Sequence, residues 1–110
     1  EILNMIYKFK LFEDKGEVNV NMHVDNKSLS SGQMQKIAFM RVLLSDVDVL
    51  FLDESTSNLD EETKDLIFNL LIKSKLTIIN STHDIDSFKN YTDHYKIELS
   101  RGNRILKKIL

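Results

Sequence analysis

An α/β fold built on a short parallel sheet is what this sequence predicts, and three stretches predict it. Val47, Val49, Leu50, Phe51 and Leu52 form a short apolar run of β-formers, the pattern of a buried parallel strand. Thr77-Ile78-Ile79-Asn80-Ser81 is a second such run. Between them, Leu66, Ile67, Leu70 and Leu71 recur at helical spacing within a helix from Glu61 to about Ser74, so that one face packs on the sheet. Strand, helix, strand makes a βαβ unit, whose crossover is right-handed in nearly all known cases. Asp53-Glu54 closes the first strand and His83 follows the second, so both fall on the carboxyl edge, where open α/β sheets hold their ligands.

The remaining elements follow in chain order. Glu1 to Phe12 reads as a helix, with Ile2, Leu3, Ile6, Phe9 and Leu11 on one apolar face and Asp14-Lys15-Gly16 ending it. Val18, Val20, Met22 and Val24 alternate with polar residues, a period-two pattern that fits a strand or an extended loop. His23 and His94 read as surface residues. Ser30, Ser31 and Gly32 are cap and turn residues opening a helix from about Gly32 to Ser45. The second half of that helix is apolar nearly all round except Arg41, which predicts burial and a polar partner for Arg41. Asp60 can cap the helix that starts at Glu61, and Glu61, Glu62 and Lys73 suit its dipole. Ile85 to Asn90 reads as a short helix. Tyr95 to Leu99 and Arg104 to Leu110 flank Ser100-Arg101-Gly102-Asn103, a hairpin signal.

Two of these stretches carry chemistry. The start of the helix after Ser30 offers free N–H groups and a partial positive charge to an anion, and small residues let a phosphate approach. Taken alone, it fits an ordinary capped helix as well. An Asp at a strand's carboxyl end can hold Mg²⁺, and a Glu beside it can polarise a water. Taken alone, Asp53-Glu54 fits a charged turn as well.

Composition narrows the classes. The chain has 110 residues, one domain at most, with a formal net charge of −2 and no cysteine. A nucleic-acid footprint, a disulfide scaffold and a thiolate metal site are not expected. No apolar run reaches the roughly 18 residues that would span a bilayer. A phosphate-cradling loop needs Gly-x-x-x-x-Gly-Lys-Ser/Thr, and Gly16, Gly32 and Gly102 do not have that spacing.

Leu29-Ser30-Ser31-Gly32-Gln33 resembles the signature motif of the ATP-binding cassette (ABC) ATPases, with Ser31 in place of the usual first glycine. Gln35 to Leu44 looks like the helix that follows it. Val49-Leu50-Phe51-Leu52-Asp53-Glu54 resembles Walker B with its catalytic glutamate, Ser55-Thr56-Ser57-Asn58-Leu59-Asp60 the D-loop, and Ser81-Thr82-His83-Asp84 the H-loop. The four motifs stand in the family's order, and the resemblance covers roughly Val24 to Ile105. It implies a partial P-loop NTPase fold: a parallel sheet with flanking helices and a C-terminal β-hairpin, with the Walker A strand missing. The chain is expected to be a C-terminal fragment of an ABC nucleotide-binding domain. Residues 1–24 would be the end of the helical subdomain and a connecting loop, 25–45 the signature motif and helix, and 46–110 the Walker B, D-loop, H-loop and C-terminal strands.

The resemblance also implies a function. Two such domains face head to tail and hydrolyse ATP with Mg²⁺, working with a transmembrane domain on the cytoplasmic face of a membrane. Glu54 would be the general base and His83 the γ-phosphate sensor. Asp53 would hold Mg²⁺ through water. Ser30, Ser31, Gly32 and Gln33 would meet the partner domain's ATP, and Ser57 and Asp60 of the D-loop would lie at the seam. Ser55 rather than proline after Glu54, and the Thr56-Ser57-Asn58-Leu59-Asp60 run, look more like exporter-type domains than importers, whereas Thr82-His83-Asp84 looks less exporter-like. Two alternatives remain: a soluble ABC ATPase acting on DNA or ribosomes, and a non-catalytic structural fragment. No nucleic-acid partner is expected, and the isolated chain is expected to be inactive.

Overall fold

A computed structural model describes residues 1–12, 21, 23, 27–87 and 90–109. The expected alternation of Val18, Val20, Met22 and Val24, and the expected helix end at Asp14-Lys15-Gly16, fall on positions outside the described residues. The element order is α1 (Ile2–Lys8), α2 (Ser31–Leu44), β1 (Val49–Asp53), α3 (Glu61–Lys73), β2 (Thr77–Ser81), a 3-10 turn (Ile85–Ser87), β3 (Tyr95–Ser100) and β4 (Asn103–Lys108). This is the expected mixed α/β architecture, with one parallel pair, flanking helices and a C-terminal antiparallel hairpin.

Helix α1 is shorter than the apolar spacing suggests. It ends at Lys8, and Lys10 takes a left-handed φ of 49°. Phe9 and Leu11 are nevertheless buried beside Ile6, because the chain turns back rather than away, and the Leu11 N–H donates to Ile6 O at 3.1 Å. Ile2 and Leu3 are exposed.

Helix α2 opens with a capping box. The Gln33 N–H donates to Ser30 Oγ at 3.1 Å, and Ser30 N–H donates to Gln33 Oε1 at 2.8 Å. Its buried residues are Phe39 and Met40. The expectation that its second half is buried is met only by these two. Arg41 and Leu44 are exposed, while Val42 and Leu43 are half-buried, so Arg41 stays at the surface.

Strands β1 and β2 pair in parallel, Leu50 opposite Ile78 and Asp53 opposite Ser81. Burial alternates along β1: Leu50 and Leu52 face the core, while Val49 and Phe51 face out, Phe51 being 73% exposed. The apolar run thus covers one face, not two, and Ile79 on β2 shares the bare side. Helix α3 lays Thr63, Ile67, Phe68 and Leu71 inward, and Ile67 and Leu71 lose all but about a hundredth of their surface. Asp60 caps it as expected, accepting from Thr63 N–H at 2.7 Å. One core joins Ile6, Phe9, Leu11, Phe39, Met40, Leu50, Leu52, Leu59, Ile67, Phe68 and Leu71. Fully burying a side chain of this kind contributes about 1.5–3 kcal/mol.

Strands β3 and β4 form a separate antiparallel sheet, Ile97 opposite Leu106 and Ser100 opposite Asn103. Arg101 (φ 50°) and Gly102 (φ 79°) make the turn, and two positive φ angles in a two-residue loop are the type I′ requirement. Every position of β4 is exposed. His94, expected at the surface, is half-buried, edge-on to Tyr91 at 5.2 Å, and its carbonyl accepts from Ile109 N–H.

Candidate functional site

The parallel pairing places the candidate residues at one edge. Because Asp53 pairs with Ser81, the residues just beyond them, Glu54 and Thr82-His83, leave the sheet side by side. Glu54 N–H donates to Ser81 O at 3.0 Å, continuing the ladder by one bond. The backbone N–H of His83 then donates to Glu54 Oε1 at 2.8 Å, and His83 Nε2 lies 3.7 Å from the same oxygen. The His83 side chain is fully exposed and that of Glu54 is 43% exposed. Asp84 N–H donates to Thr82 Oγ1 at 3.0 Å, which shapes the loop carrying His83.

Glu54 has a φ of 49°, in the left-handed region that a non-glycine residue occupies at a cost. Residues in such conformations persist where their surroundings hold them, and they cluster at functional sites. A tight turn follows, in which Ser57 N–H donates to Glu54 O at 3.4 Å and Leu59 N–H to Thr56 O at 3.2 Å. Leu59 is buried in the core. Ser55 Oγ, beside Glu54, is buried without a hydrogen-bond partner among the described residues.

The signature-like residues lie at the start of α2, and they touch the same turn. A Cβ on Gly32 would lie 2.9 Å from the carbonyl oxygen of Asn58, so only glycine fits this close approach. Gln35 reaches across as well: its Oε1 accepts from Asn58 N–H at 3.2 Å, and its Nε2 donates to Ser57 Oγ at 3.4 Å. Gln33 is engaged on the other side, donating to Leu11 O at 3.0 Å while accepting from Ser30 N–H. Lys36 Nζ donates to Lys10 O at 3.4 Å. The structure thus joins Glu54 with His83, and Gly32 with the turn after Glu54. The hydrogen bonds of Ser30 and Gln33 run to each other and to Leu11 rather than to Glu54 or His83. Ser31 is exposed at the first position of α2.

Asp60, one of the two expected seam residues, spends a carboxylate oxygen on capping α3. The hydroxyl and the N–H of Thr63 hold its carboxyl below the usual carboxylate range. Asp53 is exposed at the end of β1. Among the described residues no three candidate ligands converge on one point. A hard cation that keeps several waters and takes one or two carboxylates together with phosphate oxygens does not need such a cluster, so Asp53 suits one.

The sequence family described as ABC transporter matches residues 4–57. An energy-coupling factor transporter ATP-binding protein, EcfA2, of Staphylococcus epidermidis is 33% identical over 107 residues, 91% of this chain and 37% of the relative. A methionine import ATP-binding protein, MetN, of Lactobacillus johnsonii is 37% identical over 84 residues, 73% of this chain and 24% of the relative. The mating factor M secretion protein mam1 of Schizosaccharomyces pombe is 41% identical over 81 residues, 71% of this chain and 6% of the relative. The chain therefore spans well under half the length of these relatives. Relatives named for import and for secretion match alike, and the exporter-type expectation draws no preference from them.

Proposed function

Since this chain belongs to the ABC transporter family, we propose that it supplies one edge of an ATP-hydrolysing site that drives transport across a membrane. The observation that carries this reading is the Glu54–His83 pair, assembled at the carboxyl edge of β1 and β2 with Glu54 Oε1 facing both the N–H and the ring of His83. Glu54 is the general base. It takes a proton from the water that attacks the γ-phosphorus, as the bond from that phosphorus to the departing ADP breaks. The exposed imidazole of His83 stands 3.7 Å from Glu54, where it can contact a phosphate oxygen and orient the carboxylate. Asp53, next in line on β1, would hold Mg²⁺ through water. The bound ion would neutralise phosphate charge.

The start of α2 serves a second nucleotide. Ser30 presents its hydroxyl, Ser31 and Gly32 present the first N–H groups of the helix, and the dipole favours an anion there. In the head-to-tail arrangement this edge faces the ATP of a partner nucleotide-binding domain, with Ser57 and Asp60 at the seam. Gln33 supports the arrangement by holding the first turn of α2. The site works against a transmembrane domain on the cytoplasmic face, and cargo and direction lie with that domain. No described helix is long and apolar enough to cross a membrane.

The test is Glu54→Gln in the full-length protein. It keeps shape and removes the base, so turnover should fall by roughly 10²–10⁴-fold while ATP binding persists. Wild-type turnover in that variant would reduce Glu54 to a turn residue. The 110-residue chain alone has no Gly-x-x-x-x-Gly-Lys loop, and should neither hydrolyse ATP nor bind it tightly. Tight binding by calorimetry would count against this reading.

A further inference from the structure

We propose that Gln35 is a positioning residue for Glu54, pinning the turn that begins at Glu54 to the first turns of α2. The proposal rests on the ATPase reading of Glu54. The turn is held at three points. At its start, Glu54 is tied to Ser81 by the last bond of the sheet. Near its end, the Leu59 side chain is sunk in the core. Between them, Ser57 and Asn58 are exposed, and the amide of Gln35 engages both: one oxygen takes the Asn58 N–H and one nitrogen meets the Ser57 hydroxyl. Gly32, one helical turn earlier, lets the Asn58 carbonyl lie against the helix at a distance no side chain would allow. Glu54 needs such support, because its left-handed φ is not one that a glutamate holds unaided. Ser57 N–H also bonds Glu54 O. A turn released at Ser57 and Asn58 is therefore released at Glu54, and its carboxylate loses its aim.

The chemistry of the clamp makes a specific demand. It needs an acceptor for a backbone N–H and a polar atom for a hydroxyl, both at the end of a side chain of this length. A carboxylate meets both needs, since the Ser57 hydroxyl can turn and donate. A thioether of similar size meets neither.

The experiment compares Gln35→Met and Gln35→Glu in the full-length protein, with ATPase rates normalised to folded protein. Gln35→Met keeps the volume and helix propensity of the site, so folding is retained. It should lower kcat about tenfold, the scale of a slightly misplaced catalytic group, and leave KM for ATP unchanged. Gln35→Glu should restore most of kcat, and hydrogen exchange in the segment holding Asn58 should quicken in Gln35→Met alone. A Gln35→Met enzyme with wild-type kcat overturns the proposal. So does a folded Gln35→Glu enzyme as slow as Gln35→Met, or a loss that appears only in thermal stability. Glu54→Gln is assayed alongside. If it turns over normally, the ATPase reading has failed. If it is inactive and Gln35→Met is normal, the positioning role alone has failed.

Discussion

Asp60 caps α3 with the oxygen that accepts Thr63 N–H, and the same hydrogen bonds lower its pKa in the folded chain. A depressed folded pKa means that the cap contributes stability above the unfolded pKa and loses it as pH falls through the folded one. Asp60→Ala should therefore destabilise the fold by about 1 kcal/mol at neutral pH. Asp60→Asn should keep most of the cap but lose the pH dependence, so that it and the wild type converge below the usual aspartate range. The exposure of Asp60 keeps the charge component of this effect small. Urea unfolding at neutral and acid pH reads both effects, and an Asp60→Ala chain as stable as the wild type at neutral pH would contradict the capping role. The same scale shows where sequence reading stops. Ser30, Gly32, Glu54 and His83 stand out by motif. Gln35 stands out only as the start of the helix after the signature motif, and its contacts stay hidden because Ser57 and Asn58 are distant in the chain and met only after folding. Gln33 reads as a nucleotide contact by its place in the motif, yet its amide bonds the Leu11 carbonyl and the Ser30 N–H.

At the scale of elements, α2, α3 and the three strands with clear patterns or turn signals emerge within a residue or two of their sequence-based limits, and β4 ends two residues early. What periodicity does not disclose is how many faces are covered. The run from Val49 to Leu52 and, apart from Arg41, the second half of α2 are apolar on all sides in sequence, and the structure covers one side of each. The hairpin is the element whose local chemistry is most complete, with one mismatch. Arg101 occupies a left-handed turn position that Asn takes more readily. Arg101→Asn should raise hairpin population in a peptide of residues 93–109, by up to about 1 kcal/mol, and Gly102→Ala should lower it. Cross-strand nuclear Overhauser contacts between Ile97 and Leu106 would report both; equal populations in all three peptides would contradict the turn assignment.

Across the whole molecule, the radius of gyration is 16.6 Å, against about 13 Å for a compact chain of this size. One sheet is covered on a single face, and the hairpin's apolar face (Tyr95, Ile97, Leu99, Leu106) is largely bare. On β2, no described residue pairs along the strand edge away from β1. Residues 18–24, whose alternation fits a strand or an extended loop, are outside the described set apart from Asn21 and His23. The fold class was legible because it depends on order and period, which are local. The exposed faces were not, because exposure depends on what else is present to pack.

The two sheets also differ in when they can form. In the hairpin, Ser100 meets Asn103 across two residues, and such pairs close in about 1–10 μs. Val49 meets Thr77 only after the whole of α3 has been looped out and laid back on the core, a closure that loses chain entropy before any contact offsets it. The hairpin should thus appear early and the parallel pair late. In a temperature-jump experiment with isotope-edited infrared labels, the Ile97 carbonyl should gain its strand signal before the Phe51 carbonyl, and a single shared rate would rule the order out. Glu54 and His83 belong to the late pair. After any unfolding that parts β1 from β2, the two residues proposed to carry the chemistry would be the last to meet again.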